Sequence, residues 1–296
     1  MNALNTDWAW PWWTVIVSIN AINLIVCIIL YRRSMISTGE GDSRYAKRMR
    51  IMGLIFTLVA AYRAVFVSRY FTQMAWFDTV ANSSLLIRTF AIAAELSFSG
   101  LIAFSMLKVN EDLPDTGGKT KNGFSSFFMK RSPYILILSI FLAQFFATSA
   151  LIVKSKLLFA IEESLWSFGF LAVLPLALVQ LRRVYKIKDG EGTRRLRMFR
   201  MSTLVVEAWC VFYCCYGLFY HLPFESWAGA IEQIRTGIPE LRSGTGAIVD
   251  AFTIINESKA YGDWGFGFLL WHSAYFTVCV WIALFLMKAP RLLPQD

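Results

Sequence analysis

Seven stretches of this sequence are apolar over the length needed to cross a lipid bilayer, and this constrains the fold more than any other feature. A hydrocarbon core about 30 Å thick is crossed by roughly 20 helical residues rising about 1.5 Å each. Stretches of that length cover residues 12–31, 51–71, 80–107, 133–153, 157–180, 201–220 and 264–287. In lipid every backbone N–H and C=O must be bonded within the chain, so only helices and closed barrels span it. Barrel strands cross in about 9–11 residues of alternating character, and these runs are longer and evenly apolar. The expected fold class is therefore all-α: a polytopic seven-transmembrane-helix bundle forming one membrane domain over residues 1–296. A composition of 56% hydrophobic and 17% charged residues agrees with this and not with a soluble domain.

Lysine and arginine set the direction of the spans, because basic loops stay in the cytosol. Segments 32–50, 108–132, 181–200 and 288–296 hold 21 of the 29 basic residues, and the alternate set holds 5. This predicts an N-terminus outside and a C-terminus in the cytosol. The net charge of +9 is thereby a product of topology, and no nucleic-acid partner is expected. Trp8, Trp10, Trp12 and Trp13 read as an aromatic belt at the outer edge, and Arg32 and Arg33 as a stop at the inner one. No basic n-region precedes the first apolar run and no small-residue cleavage site follows it, so that run is expected to be retained. The expected location is a plasma membrane or a bacterial inner membrane. Besides the bilayer itself, anionic lipids at basic loops 32–50 and 181–200 are candidate partners.

Between the sixth and seventh runs lies a mildly acidic outer segment, 221–263, too short for a domain with its own core. Trp227, Ile231 and Ile234 recur at helical spacing, Gly237-Ile238-Pro239 closes that piece, and a second apolar patch covers 248–255. The segment is expected to fold back over the bundle as a cap. The stretch 109–123 holds Pro114, Asp115, Gly117 and Gly118 and reads as a loop.

Ionisable groups inside spans are costly unless paired or hydrated, so they point to a site. Arg88 and Glu95 are seven residues apart, about 700° of rotation, and share one face of the third run. The second run carries Arg63 and, near its outer end, Arg69; the fifth carries Glu162 and Glu163, the sixth Glu207, and the seventh His272. In the expected orientation Arg63, Arg88, Glu162, Glu163 and His272 fall in the outer half of the bilayer and Glu95 near its middle. These six residues are the expected ligand-binding set, drawn from runs two, three, five and seven. The fourth run, with Gln144 and Thr148 as its larger polar groups, is expected to be peripheral or lipid-facing. The alternative for the whole cluster is a structural ion-pair network between helices.

Several chemistries are disfavoured. A retinal protein needs a lysine inside its last span, and residues 264–287 contain none. Two histidines, His221 and His272, and no H-E-x-x-H, G-x-S-x-G or phosphate-loop pattern leave no metal, cofactor or catalytic set to nominate. All five cysteines fall inside the apolar runs, which excludes loop disulfides. The chain is expected to be a receptor, sensor or transporter that admits a small polar or anionic ligand from outside. An accessory subunit that binds a membrane-protein partner is the first alternative. The second is a lipid-modifying enzyme using Glu95, Glu163 or His272 as acid or base.

Overall fold

Six of the seven apolar runs form helices long and apolar enough to cross a membrane, counted among the described residues. The computed structural model describes residues 9–37, 44–113, 123–187, 193–237 and 242–292. Trp8, Lys188, Ile238, Pro239 and most of the loop expected at 109–123 lie outside these. Helices account for 85% of the structure. The long ones are α1 (Ala9–Ser37), α2 (Arg44–Val65), α3 (Ser84–Asp112), α4 (Gly123–Val153), α5 (Lys156–Tyr185) and α6 (Thr193–Tyr216). Their flanks carry large apolar side chains with nothing to cover them, among them Ile22, Leu138, Phe145 and Phe168, each more than half exposed. Exposed apolar surface on this scale matches lipid and not water, so the chain is an integral membrane protein.

The second run departs from expectation. Its helix stops at Val65, so only 51–65 is both apolar and helical, about 22 Å of axial rise. Arg44, Lys47, Arg48 and Arg50 fill its first two turns, and it is not among the six. Arg69 accordingly lies outside the helix, exposed on strand β1 (Ser68–Arg69), where it donates to the carbonyl of Asp263 at 3.2 Å. The third run, expected from residue 80, becomes α-helical only at Ser84, after a 3₁₀ turn over Val80–Asn82, with Ser83 accepting from the Leu86 N–H as an N-cap. The sixth does not end at residue 220. It continues through a π-helical stretch (Gly217–Trp227) into α7 (Ala228–Arg235) before Gly237 turns the chain at φ +82. The wider π turn tolerates Pro223, which has no N–H to give to an α ladder.

Beyond residue 241 come α8 (Gly244–Thr253), strand β3 (Asn256–Glu257), α9 (Tyr261–Trp264), α10 (Phe266–Ala274), a π turn (Tyr275–Cys279) and α11 (Val280–Leu286). The long helices pack in chain order, α1 on α2, α2 on α3, and so to α6, and α11 closes the arrangement against α1, α2, α3 and α6. Helix α3 touches the most neighbours and is the axis: 67% of its membrane-length window is buried, against 22% for α1.

Helices α4 and α5 make the most extensive pairing, and Gly169 lets them approach. A Cβ there would lie 3.1 Å from Ser139 Cβ and 3.2 Å from Leu136 Cδ1, both on α4. Gly169→Val is expected to lower stability by about 1–3 kcal/mol through overpacking. An unchanged thermal midpoint in detergent would mean the two helices are not held this closely.

At the end of the bundle opposite the basic loops, β1 pairs antiparallel with β2 (Met74–Ala75) and β2 parallel with β3. This small sheet marks what is called below the sheet end. The roof over it comes from two segments, 66–83 and 242–265. Gln73 Nε2 donates to the Asp250 carbonyl at 2.7 Å, and Asn256 Nδ2 to the Thr72 carbonyl at 2.8 Å. Helix α8 rests on α3 and α4. Residues 221–235, expected in the cap, instead prolong the sixth helix.

Three of the tryptophans expected as a belt, Trp10, Trp12 and Trp13, form a cluster around Trp76, which is fully buried. Trp13 stacks on it at 5.7 Å, Trp10 meets it edge-on at 5.3 Å, and Trp264 packs at 6.0 Å. Trp13 Nε1 also donates to the carbonyl of Val65, satisfying a terminal acceptor of α2. The Lys259 ammonium lies over Trp10, Trp76 and Phe77 and pairs with Glu257, whose carboxyl that bond holds below the usual carboxylate range. All five cysteines are free; Cys215 is exposed and the other four are buried.

Candidate functional site

Helix α3 presents Arg88 and Glu95 from two successive turns of one face, and the structure joins them side to side. Arg88 Nη1 donates to Glu95 Oε1 at 3.1 Å and Nη2 to Oε2 at 3.2 Å, a fork that meets both carboxylate oxygens. Nη2 also donates to Gln144 Oε1 at 2.5 Å, while Gln144 Nε2 donates to the Ile140 carbonyl one turn back at 2.9 Å. Glu162 Oε1 approaches Nη1 at 3.7 Å. All four residues are buried: Arg88 is 3% exposed, Glu95 8%, Gln144 4% and Glu162 4%. Helix α4 is therefore not merely peripheral. Leu138, Phe141 and Phe145 face outward, and Ile140, Ala143, Gln144 and Ala147 face in, so the run reads as lipid-facing only on one side.

Glu162 and Glu163 part company because adjacent helical positions are turned about 100° from each other. Glu163 Oε1 lies 3.5 Å from His221 Nε2, whose other nitrogen is 2.7 Å from Glu225 Oε2. That half-buried triad sits where the sixth helix runs on past residue 220.

Arg63 stands apart from the Arg88 group. It projects from the last turns of α2, half-buried, and donates from Nη2 to the Tyr70 hydroxyl at 2.8 Å. Its guanidinium lies 5.2 Å from the Phe276 ring centre and 5.8 Å from those of Tyr275 and Tyr70. Among the described residues no carboxylate comes within ion-pair distance of it. His272, 6% exposed, packs its ring on Phe276 at 4.3 Å, on Trp12 at 5.2 Å and on Phe268 at 5.4 Å. Among the described residues, two buried polar atoms beside this aromatic group have no hydrogen-bond partner, His272 Nδ1 and the Tyr275 hydroxyl; in the neighbouring network Arg88 Nε and Glu162 Oε2 also have none. Buried polar atoms are rarely left so, and their grouping marks a place for water or ligand.

The six residues expected at a site thus fall into three groups at the sheet end: Arg88 with Glu95 and Glu162, Glu163 with His221, and Arg63 near His272. Glu207 lies away from them, 9% exposed with Oε2 unpartnered. Gln144, Tyr70, Tyr275 and His221 complete these groups, though none of them belongs to the expected ligand-binding set. An amide in an otherwise apolar helix was the available signal for Gln144. Comparison with protein-family models, with curated proteins and with solved structures finds no match to this chain.

Proposed function

We propose that the chain is a seven-span receptor, sensor or transporter, N-terminus outside and C-terminus cytosolic, that receives a small anionic ligand at Arg63. The observation that carries this is a half-buried guanidinium with aromatic faces and a phenol around it and, among the described residues, no carboxylate within ion-pair distance. A buried cation without a counter-ion is expensive, and an incoming anion supplies one. The excess of basic residues in the opposite loops supports an orientation in which the sheet end, and Arg63 with it, faces outward. In this reading α2 is the seventh span, its short apolar stretch relieved by packing on α1, α3 and α11. Arg88 has its counter-charges within the protein and serves to fix α3, α4 and α5 around the site. Glu95 and Glu163 are each held by a partner, which argues against either as the mobile acid or base of a lipid-modifying enzyme.

Losing a charge-assisted contact costs about 1.5–3 kcal/mol, roughly tenfold to a hundredfold in affinity. Inorganic phosphate and small carboxylates are expected to raise the thermal midpoint of the purified protein and to lose that effect in Arg63→Gln. Native mass spectrometry of the same samples is expected to show any co-purified anion in the wild type alone. A panel that stabilises both proteins equally, or neither, would remove Arg63 as the ligand's anchor.

A further inference from the structure

The Arg88 network sets two carboxyl groups, Glu95 and Glu162, against one guanidinium charge. Both terminal nitrogens of Arg88 are committed to Glu95, and one of them also to Gln144. Glu162 is left with a 3.7 Å approach from Oε1, beyond hydrogen-bond length, and nothing at Oε2. An ionised carboxylate accepts at both oxygens, and at 4% exposure water does not supply the missing donors in bulk.

The charges around Glu162 make this worse. From α3 it faces Arg88 and Glu95, and along its own helix it adjoins Glu163. Helix α4 contributes only the neutral amide of Gln144. The phenols of Tyr70, from the β1–β2 turn, and Tyr213, from α6, are the other titratable groups in reach. Arg63 donates to the Tyr70 hydroxyl and makes no ion pair with Glu162. His221 is engaged by Glu163 and Glu225. Like-charged carboxylates sharing one site in low dielectric do not both stay ionised.

We propose that Glu162 is a proton-binding site: its buried carboxyl carries one exchangeable proton, which neutralises the Arg88–Glu95–Glu162 group. A metal cation is the poorer fit. Hard cations take six or more oxygens, and here the guanidinium of Arg88 occupies the side where such an ion would sit. No group of three or more His, Cys, Asp or Glu side chains placed to hold a metal ion occurs among the described residues. Release of the proton leaves a second carboxylate to compete with Glu95 for Arg88, so the proton and the partner of Arg88 are linked. This goes beyond ligand binding at Arg63 and stands or falls separately, because it is read without any ligand.

The test is infrared spectroscopy of the purified full chain at neutral pH. A protonated carboxylic acid gives a carbonyl-stretch band separate from the carboxylate and amide bands. The expected result is such a band in the wild type, lost on alkaline titration, absent in Glu162→Gln and retained in Glu207→Gln. Glu162→Gln, which mimics the protonated acid, is expected to keep the wild-type thermal midpoint. No carboxylic-acid band in the wild type overturns the proposal, as does a band that survives Glu162→Gln. If that variant does not fold, Glu162→Asp keeps the acid in a new position, and a band at an unshifted frequency overturns it. A midpoint that rises with sodium at constant ionic strength overturns it in favour of a bound cation.

Discussion

Arg88→Leu is expected to destabilise the protein by about 3–5 kcal/mol, the cost of leaving buried charge without its partner. The change strips Glu95 of donors at both oxygens and Gln144 Oε1 of its own, at sites less than a tenth exposed. An average interhelical hydrogen bond within a membrane contributes about 1 kcal/mol or less, so the lost bonds alone would not reach that figure. The uncompensated carboxylates make the difference. Removing both members of the fork, as Arg88→Leu with Glu95→Leu, is therefore expected to recover much of the loss, since apolar replacement of a buried pair is often close to neutral. Unfolding midpoints of the two variants decide it. A single variant as stable as the wild type would show that Arg88 does not hold α3 to α4.

A loss of similar size, about 3–5 kcal/mol, is expected for Trp76→Ala, by a different cause. Trp76 is wrapped by Trp10, Trp12, Trp13 and Trp264, and its backbone N–H donates to Val67 at 3.0 Å. Truncation opens a cavity where four indoles meet and removes one of the rings over which Lys259 lies. The damage is expected to be local, because the cluster is separate from the main core between the long helices. Faster proteolysis within 66–83 and 254–265, with the long helices still protected, is the expected pattern. Uniform protection equal to wild type would mean the indoles do not hold this end together.

What the sequence made legible follows from the range over which each signal acts. Span length is a local property, read directly from runs of apolar residues, and six helices obey it. The two-turn spacing of Arg88 and Glu95 is also local, and the fork between them follows from it. Partners drawn from distant segments are not written locally. Gln144 reads as a minor polar residue until α4 is laid against α3, and Tyr70 reads as the end of a span until the chain turns at Val65. A helix end is also not written in the length of an apolar run: the sixth run closes at residue 220, yet the helix passes Pro223 in a π register and ends at Arg235, just before Gly237 turns the chain. The early tryptophans have the composition of an interfacial belt, and nothing local reveals that Trp10, Trp12 and Trp13 surround Trp76.

The π turn at Tyr275–Cys279 has a consequence for phase. A π turn holds about one residue more than an α turn, so closing it to α geometry would turn everything on one side of it by about 100°. Tyr275 and Phe276, the two rings of that segment that lie over Arg63, are themselves within the turn. His272 precedes it on α10, and the residues that lock α11 against α2 follow it. The angular offset between the helix's grip on the bundle and its presentation of rings to Arg63 is thus set by a single inserted residue. The same side chains wound as continuous α-helix would keep their order and lose that alignment.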